Sequence, residues 1–241
     1  MTPIKLIYPY YNNPKMLERQ VENWNRYAGD LAKHTTFVLV DDCSAQPARP
    51  IFEQLTHKNK MLLRFTKPGL WTMHEARNLG AIECCKEEDV WLLMSDIDLL
   101  ATPEMIWKLQ EKKLNARNHY TFERVMLPDL TPYKYHCNSY LLRRSHYLRI
   151  KGYDVDFCGL YGGGYGGDGE FARQLNVLAP RKHMADLSLI GVPKEVIEDA
   201  NTQEWDRAEW KVKYRAVFDA KRKSGDMRSK NPVRRPWERL I

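Results

Sequence analysis

The stretch Val90-Trp91-Leu92-Leu93-Met94-Ser95-Asp96-Ile97-Asp98 is an apolar run that ends in two carboxylates one residue apart. A run of this kind marks a central parallel strand with both faces covered. Asp96 and Asp98 then fall at the carboxyl end of that strand, where open α/β sheets bind ligands. Two hard oxygen ligands at such an edge suit Mg²⁺ or Mn²⁺ carrying a diphosphate. Asp-x-Asp by itself recurs by chance roughly once in a chain this long. Its placement carries the reading.

Working outward, strand and helix alternate. Lys5–Tyr8, Thr36–Val40 and Leu62–Phe65 read as strands. Asn13-Pro14 opens a helix, with Asn as N-cap and Pro at the first helical position. Leu17, Val21, Trp24 and Ala28 then recur at helical spacing. Thr72 to Glu88 predicts the helix that leads into strand Val90–Met94, and Thr102-Pro103-Glu104 opens another running to about Leu114. This order predicts a doubly wound, mostly parallel α/β sheet with helices on both faces and right-handed crossovers. From about residue 120 the pattern turns irregular, as expected of a half that wraps the sheet edge.

The chain has 241 residues, 43% hydrophobic and 29% charged, which suits one large α/β domain or two small ones. The first strand-like run begins at Ile4 and leaves no room for a signal peptide. No apolar stretch approaches the ~20 residues that span a bilayer. Five cysteines, an odd number without metal-site spacing, agree with a reducing compartment. A cytoplasmic protein, at most peripheral to a membrane, is the expectation.

The net charge of +7 is unevenly placed. Residues 201–241 hold 12 Lys/Arg against 6 Asp/Glu, whereas the first 200 residues hold 26 against 25. The expected organisation is therefore a domain over 1–200 and a basic, aromatic-rich helical tail over 201–241. Trp205, Trp210, Tyr214, Phe218 and Trp237 lie in that tail. Two readings stand: a solvated helix whose Trp210, Tyr214 and Phe218 stripe docks on the domain, or an arm for a polyanion or an anionic membrane surface.

Four motifs fall where strands end. The first strand runs into Tyr8-Pro9-Tyr10-Tyr11-Asn12-Asn13, and the second ends in Val40-Asp41-Asp42-Cys43-Ser44. The helix before the Asp-x-Asp strand holds Glu75-Ala76-Arg77-Asn78-Leu79-Gly80. Gly152-Tyr153-Asp154 is followed by Gly164-Tyr165-Gly166-Gly167-Asp168-Gly169-Glu170-Phe171. Together, over roughly residues 4–185, these resemble the GT-A-fold glycosyltransferases of family 2. That family has a V-D-D-x-S strand end, an A-R-N-x-G helix and an Asp-x-Asp. The later block is similar to the G-[YF]-D…W-G-x-E-D segment of the family and of related galactosyltransferases.

The resemblance implies a nucleotide-sugar-binding half over 1–115 and an acceptor-binding, catalytic half over 116–200. It implies a UDP-sugar donor, with Asp41 or Asp42 accepting the imide N–H of uracil and Tyr10 beside it. Arg77 suits a diphosphate through its fixed fork of donors. Asp96 is expected at the ribose or a metal-bound water, and Asp98 as direct metal ligand. His183, in Arg181-Lys182-His183-Met184, loosely matches a histidine that closes the metal shell in some members. A mixed carboxylate–imidazole shell favours Mn²⁺ over Mg²⁺.

Residues 159–169 contain seven of the chain's thirteen glycines. Glycine lets backbone pass close to a sugar, on which Tyr161 or Tyr165 would stack. The family's base is the second acid of E-D, but here Tyr165 replaces Trp and the acids read Asp168-Gly169-Glu170. Counting back from Phe171 selects Asp168; counting forward from the glycine pair leaves Glu170.

The implied activity is inverting, metal-dependent transfer from a UDP-sugar to an acceptor hydroxyl, on a glycan or cell-envelope acceptor. A hydroxymethylated pyrimidine in DNA is the alternative acceptor, with the tail tracking phosphates. A sugar nucleotidyltransferase would need a Gly-rich triphosphate loop after the first strand, which Tyr8-Pro9-Tyr10-Tyr11 is not. A degenerate transferase that only binds a polyanion is the remaining reading.

Overall fold

The computed structural model describes residues 1–69, 72–85, 89–159, 167–197, 207–226 and 228–241. Tyr161, Tyr165, Trp205 and the glycines between 160 and 166 lie outside them.

The first half follows the expected order: β1 (Ile4–Tyr10), α1 (Pro14–Asn25), α2 (Gly29–Lys33), β2 (Thr35–Asp41), α3 (Arg49–Phe52), β3 (Lys60–Phe65), α4 (Met73–Glu83) and β4 (Trp91–Met94). Next come β5 (Leu99–Leu100), α5 (Pro103–Glu111), β6 (His119–Met126), β7 (Thr131–Tyr133), β8 (Tyr140–Arg143) and α6 (Arg144–Arg149). The described chain closes with α7 (Gly167–Leu178), β9 (Arg181–Gly191), α8 (Arg207–Ser224) and β10 (Trp237–Arg239).

One sheet runs β10-β3-β2-β1-β4-β8-β6-β9-β5, with β7 paired to β6. Strands β3, β2, β1 and β4 are mutually parallel. The flanks are mixed: β8 runs antiparallel to β4, and β10 antiparallel to β3. Residues beyond 120, expected to be irregular, thus supply β6, β8 and β9 to the same sheet. Burial explains why no long apolar run announces β6 and β9, since β6 passes from buried to half-buried along its length and β9 starts exposed; β8 is buried but short, Tyr140–Arg143.

Period-two alternation covers both faces of the centre. Leu6, Tyr8 and Tyr10 join one core cluster with Trp24 and Phe37, while Ile7 joins another with Val38, Leu92 and Phe171. Helix α4 lies close on the second face because Gly80 has no side chain. A Cβ there would stand 2.6 Å from Ile7 Cγ2 and 3.2 Å from Val40 Cγ2. Thr102 caps α5 by accepting from the Met105 amide at 3.2 Å, whereas Asn13 stands at the N-cap of α1 without a side-chain capping bond.

The C-terminal segment is more than a helical tail. Helix α8 docks through Tyr214 on Phe157, with ring centroids 5.1 Å apart. The chain then returns as an extended strap and adds β10 to the sheet edge. No helix among the described residues is long and apolar enough to cross a membrane.

Candidate active site

β1 is flanked by β2 on one side and β4 on the other, so the strand order reverses there. A crevice outside the carboxyl ends of such strands is where doubly wound sheets take ligands. Asp96 and Asp98 follow β4 at this rim. Their loop is pinned by α1: Gln20 Nε2 donates to the carbonyls of Ile97 (2.8 Å) and Leu99 (2.7 Å), and Asn23 Nδ2 to that of Ala101 (2.7 Å).

Arg77 is fully buried on α4, with its guanidinium over the Tyr153 ring. Its Nη2 pairs with Asp96 Oδ1, and its Nη1 lies 4.0 Å from Asp168 Oδ1. His136 Nε2 stands 3.2 Å from Asp96 Oδ2 and is held from behind by Ser139 Oγ at 3.0 Å. Burial would raise the Asp96 carboxyl, but Arg77 and His136 outweigh it and hold it well below the usual carboxylate range. Burial and the charge of Asp96 push Asp98 the other way. Among the described residues no side chain hydrogen-bonds its carboxylate.

Asp168, in the first turn of α7, belongs to this cluster. His74 Nε2 meets its Oδ1 at 2.8 Å, and the His74 ring stacks on Tyr153 at 5.1 Å. Gly167 makes room, since a Cβ there would fall 2.7 Å from His74 Cε1. Burial raises the Asp168 carboxyl, yet His74 and Arg77 bring it below its ordinary value. Glu170 is directed elsewhere: it accepts two bonds from Arg173 and one from Gln174 on its own helix. The structure therefore separates the two candidate bases, with Asp168 beside Arg77 and Asp96.

Asn78 explains why two of the motifs belong together. Its Nδ2 donates to the Tyr153 carbonyl at 2.9 Å, and its Oδ1 accepts from the Tyr153 amide (2.8 Å) and Tyr147 Oη (2.6 Å). Gly152 sits at φ +66° against that same oxygen, where a Cβ would lie 2.3 Å away.

The remaining sequence candidates lie away from this cluster. Asp41 is fully buried; it accepts from the amides of Ser44 (2.8 Å) and Ala48 (3.0 Å) and from Arg64 Nη1 (2.7 Å), closing its own loop. Asp42 Oδ2 accepts from Thr72 Oγ1 and its Oδ1 from Arg235 Nη2, each at 2.6 Å. Tyr10 is buried, its hydroxyl donating to the Gln46 carbonyl. His183 pairs with Glu123 at 2.8 Å and lies 3.2 Å from Thr121 Oγ1 on β6, and makes no ion pair with Asp96 or Asp98.

His74 and His136, which had weaker claims than His183 in the sequence, are the histidines that the structure brings to this cluster. His74 lies one helical turn before Arg77, a spacing that places both on one face. His136 sits in a segment without periodicity, and nothing local marks it.

Among the described residues, no three His, Cys, Asp or Glu side chains gather as a metal-ligating group. The donor set still fits a hard divalent cation, because Mg²⁺-type sites use one or two carboxylates and complete the shell with water and phosphate oxygens. Asp98 is such a carboxylate, and the repulsion from Asp96 is what a cation relieves. Arg77 Nε and Nη1 have no hydrogen-bond partner among the described residues, but both are sealed from solvent, and the guanidinium charge faces Asp96 and Asp168 rather than an open surface as a diphosphate ligand would need.

A mixed α/β sheet with a parallel centre and this acidic rim is that of a GT-A-type fold. The sequence model of glycosyl transferase family 2 matches residues 6–163, and the chain belongs to that family. A comparison with curated protein sequences finds no match. Solved structures similar to it include S. aureus TarS 1-349 in complex with UDP-GlcNAc (TM-score 0.63, 14% identity, 86% of this chain and 64% of that one). Another is mannosyltransferase PcManGT from Pyrobaculum calidifontis in complex with GDP-Man and Mn²⁺ (TM-score 0.58, 15% identity, 82% and 59%). At such identities they show the fold, and the chain spans about three-fifths of their length.

Proposed function

We propose that the chain is an inverting, metal-dependent glycosyltransferase that moves a sugar from a UDP-sugar to the hydroxyl of a glycan or cell-envelope acceptor. The observation that carries this reading is the convergence of Asp96, Arg77 and Asp168 beside an Asp98 carboxylate with no side-chain partner among the described residues. Asp98, with Asp96, would hold Mn²⁺ or Mg²⁺, which when bound offsets charge on the departing diphosphate. Arg77 keeps both neighbouring carboxylates in register and lends a fixed positive field to the same region.

Asp168 takes the proton of the acceptor hydroxyl. Its lowered carboxyl is ionised at neutral pH, the form a base requires. His74 fixes the oxygen that faces Arg77. The acceptor oxygen bonds to the anomeric carbon as the bond from that carbon to the diphosphate breaks on the opposite face, and UDP leaves with the electron pair.

The DNA-acceptor alternative drew on a free basic tail. Three of its twelve Lys/Arg, namely Lys221, Arg234 and Arg235, are engaged with Asp154, Asp156, Asp42 and Glu75. The glycan acceptor is preferred on the family's resemblance, and the test below decides between the two. The test is UDP release from a panel of UDP-sugars with Mn²⁺, for wild type and Asp98→Ala, with and without hydroxymethylated DNA. Metal-dependent turnover lost in the variant and indifferent to DNA is expected. Stimulation by DNA would move the acceptor to nucleic acid, and absence of turnover with every donor would overturn the reading.

A further inference from the structure

Resting on that reading, we propose that the C-terminal strap (residues 228–241) works in the donor site through Arg235 alone. In this proposal Arg235 is a positioning residue that holds Asp42 as an acceptor for a base bearing a ring N–H. The strap lies outside residues 6–163 that the family model matches.

Asp42 stands one residue beyond β2, and its amide donates to the Tyr10 carbonyl at the end of β1 (2.9 Å), so it belongs to the rim of the crevice. Arg235 arrives there from 193 residues away. Its Nη2 donates to Asp42 Oδ1 (2.6 Å), its Nε to Glu75 Oε2 (2.7 Å) and its Nη1 to the Lys67 carbonyl (3.0 Å). The guanidinium lies over the Phe65 ring, 3.9 Å from its centroid. Glu75 Oε1 also accepts the backbone amides of Arg234 and Arg235. Gly69 leaves the space, since a Cβ there would meet Thr72 Cγ2 at 2.7 Å and Arg235 Nη1 at 3.0 Å.

This geometry decides what Asp42 offers. Thr72 and Arg235 occupy one lone pair on each oxygen, and an ionised carboxylate accepts only. The ring N–H of uracil or guanine finds a partner there, whereas the ring nitrogen acceptor of cytosine does not. The charged and titratable groups around Asp42 are Arg235, Glu75 and the Cys158 thiol, which burial pushes up to about 12. Burial raises the Asp42 carboxyl, and Arg235 and Thr72 act against it. Without Arg235, two buried acids, Asp42 and Glu75, would lack their cation. A proton taken up by Asp42 would make it a donor able to serve cytosine.

The experiment is calorimetric binding of UDP and of CDP, each with Mn²⁺, to the full chain. Wild type, Arg235→Gln and Arg235→Lys are compared, with Arg239→Gln as control; Arg239 lies four residues further along, is exposed, and among the described residues its side chain bonds only the Ile241 main-chain oxygen. Wild type should prefer UDP, and Arg235→Gln should weaken UDP about ten-fold or more while narrowing the UDP/CDP ratio. Arg235→Lys keeps the charge for folding but bridges only one of the two acids, so an intermediate ratio is expected. Arg239→Gln should leave both affinities unchanged. The proposal is overturned if Arg235→Gln and Arg235→Lys keep the wild-type UDP affinity and ratio, or if Arg239→Gln loses as much as Arg235→Gln. If wild type binds neither nucleotide, the donor reading itself fails and this proposal with it.

Discussion

Two pairs of aspartates end strands on either side of β1, and the molecule treats them in opposite ways. After β2, Asp41 is closed off by two backbone amides and Arg64, while Thr72 and Arg235 each bond one oxygen of Asp42 and hold it in place. After β4, Asp96 faces Arg77 and His136, while Asp98 bonds no described side chain. A carboxylate at a strand end is thus not yet a ligand. What decides is whether local amides and distant cations reach it first, because an acceptor already bonded in a buried site gives up that partner at a cost.

The strongest way to sharpen this contrast lies with Asp168, which shares Arg77 with Asp96. Asp168→Asn should lower turnover by about 10²–10⁴-fold, the usual worth of a positioned general base, with UDP affinity retained. Glu170→Gln should stay within a few-fold of wild type, because Glu170 faces Arg173 and Gln174 instead. Comparable losses in both variants, measured as initial rates of UDP release, would break the separation between the two acids.

The two aspartate pairs can then be set against each other directly. Asp98→Ala should cost about 10²–10³-fold in turnover, the range for removing a group that stabilises charge in the transition state, with the melting temperature nearly unchanged. Asp41→Ala should do the reverse. It leaves Arg64 and two buried amides without their acceptor, a loss of about 3–5 kcal/mol in denaturant unfolding. A fully stable Asp41→Ala protein would sink the view that this residue serves its loop.

The parallel centre was legible because its signals are local. Each apolar run, strand-end acid pair and the A-R-N-x-G helix is read within a few consecutive residues, and their order alone predicts β1 to β4. Gly80 is the clearest case, since its motif position marks the contact of α4 with Ile7 and Val40. Gly80→Ala should destabilise by about 1–3 kcal/mol through overpacking, visible as a lower unfolding midpoint with the slope unchanged. The strap was not legible, because β10 is three residues, Trp237–Arg239, without an apolar run, and Arg235 meets its partners across 160 and 193 residues. His136 ranked below His183 for a related reason: its partner Asp96 lies on another element and its own segment has no period.

The smallest effect concerns how α8 is fastened ahead of the strap. Lys221 Nζ bridges Asp154 Oδ2 (2.8 Å) and Asp156 Oδ2 (2.6 Å), and Arg234 pairs with Asp156. Burial works against both charges, yet the bonds from Lys221 and Arg234 hold Asp156 below its ordinary value, and Asp154 and Asp156 hold Lys221 above its own. A lowered acid stabilises above its unfolded pKa, roughly 3.9, and loses that as pH falls through its folded value. A raised lysine stabilises below roughly 10.4 and loses that as pH rises through its folded value. The cluster should therefore act most strongly between about pH 4 and pH 10. Lys221→Met should lower stability there by on the order of 1 kcal/mol, with the gap to wild type closing at both extremes of a pH series of melting curves. No gap between wild type and Lys221→Met at neutral pH would mean that α8 is held by Tyr214 on Phe157 and its neighbouring apolar contacts, and that the charges only decorate a docking made by packing.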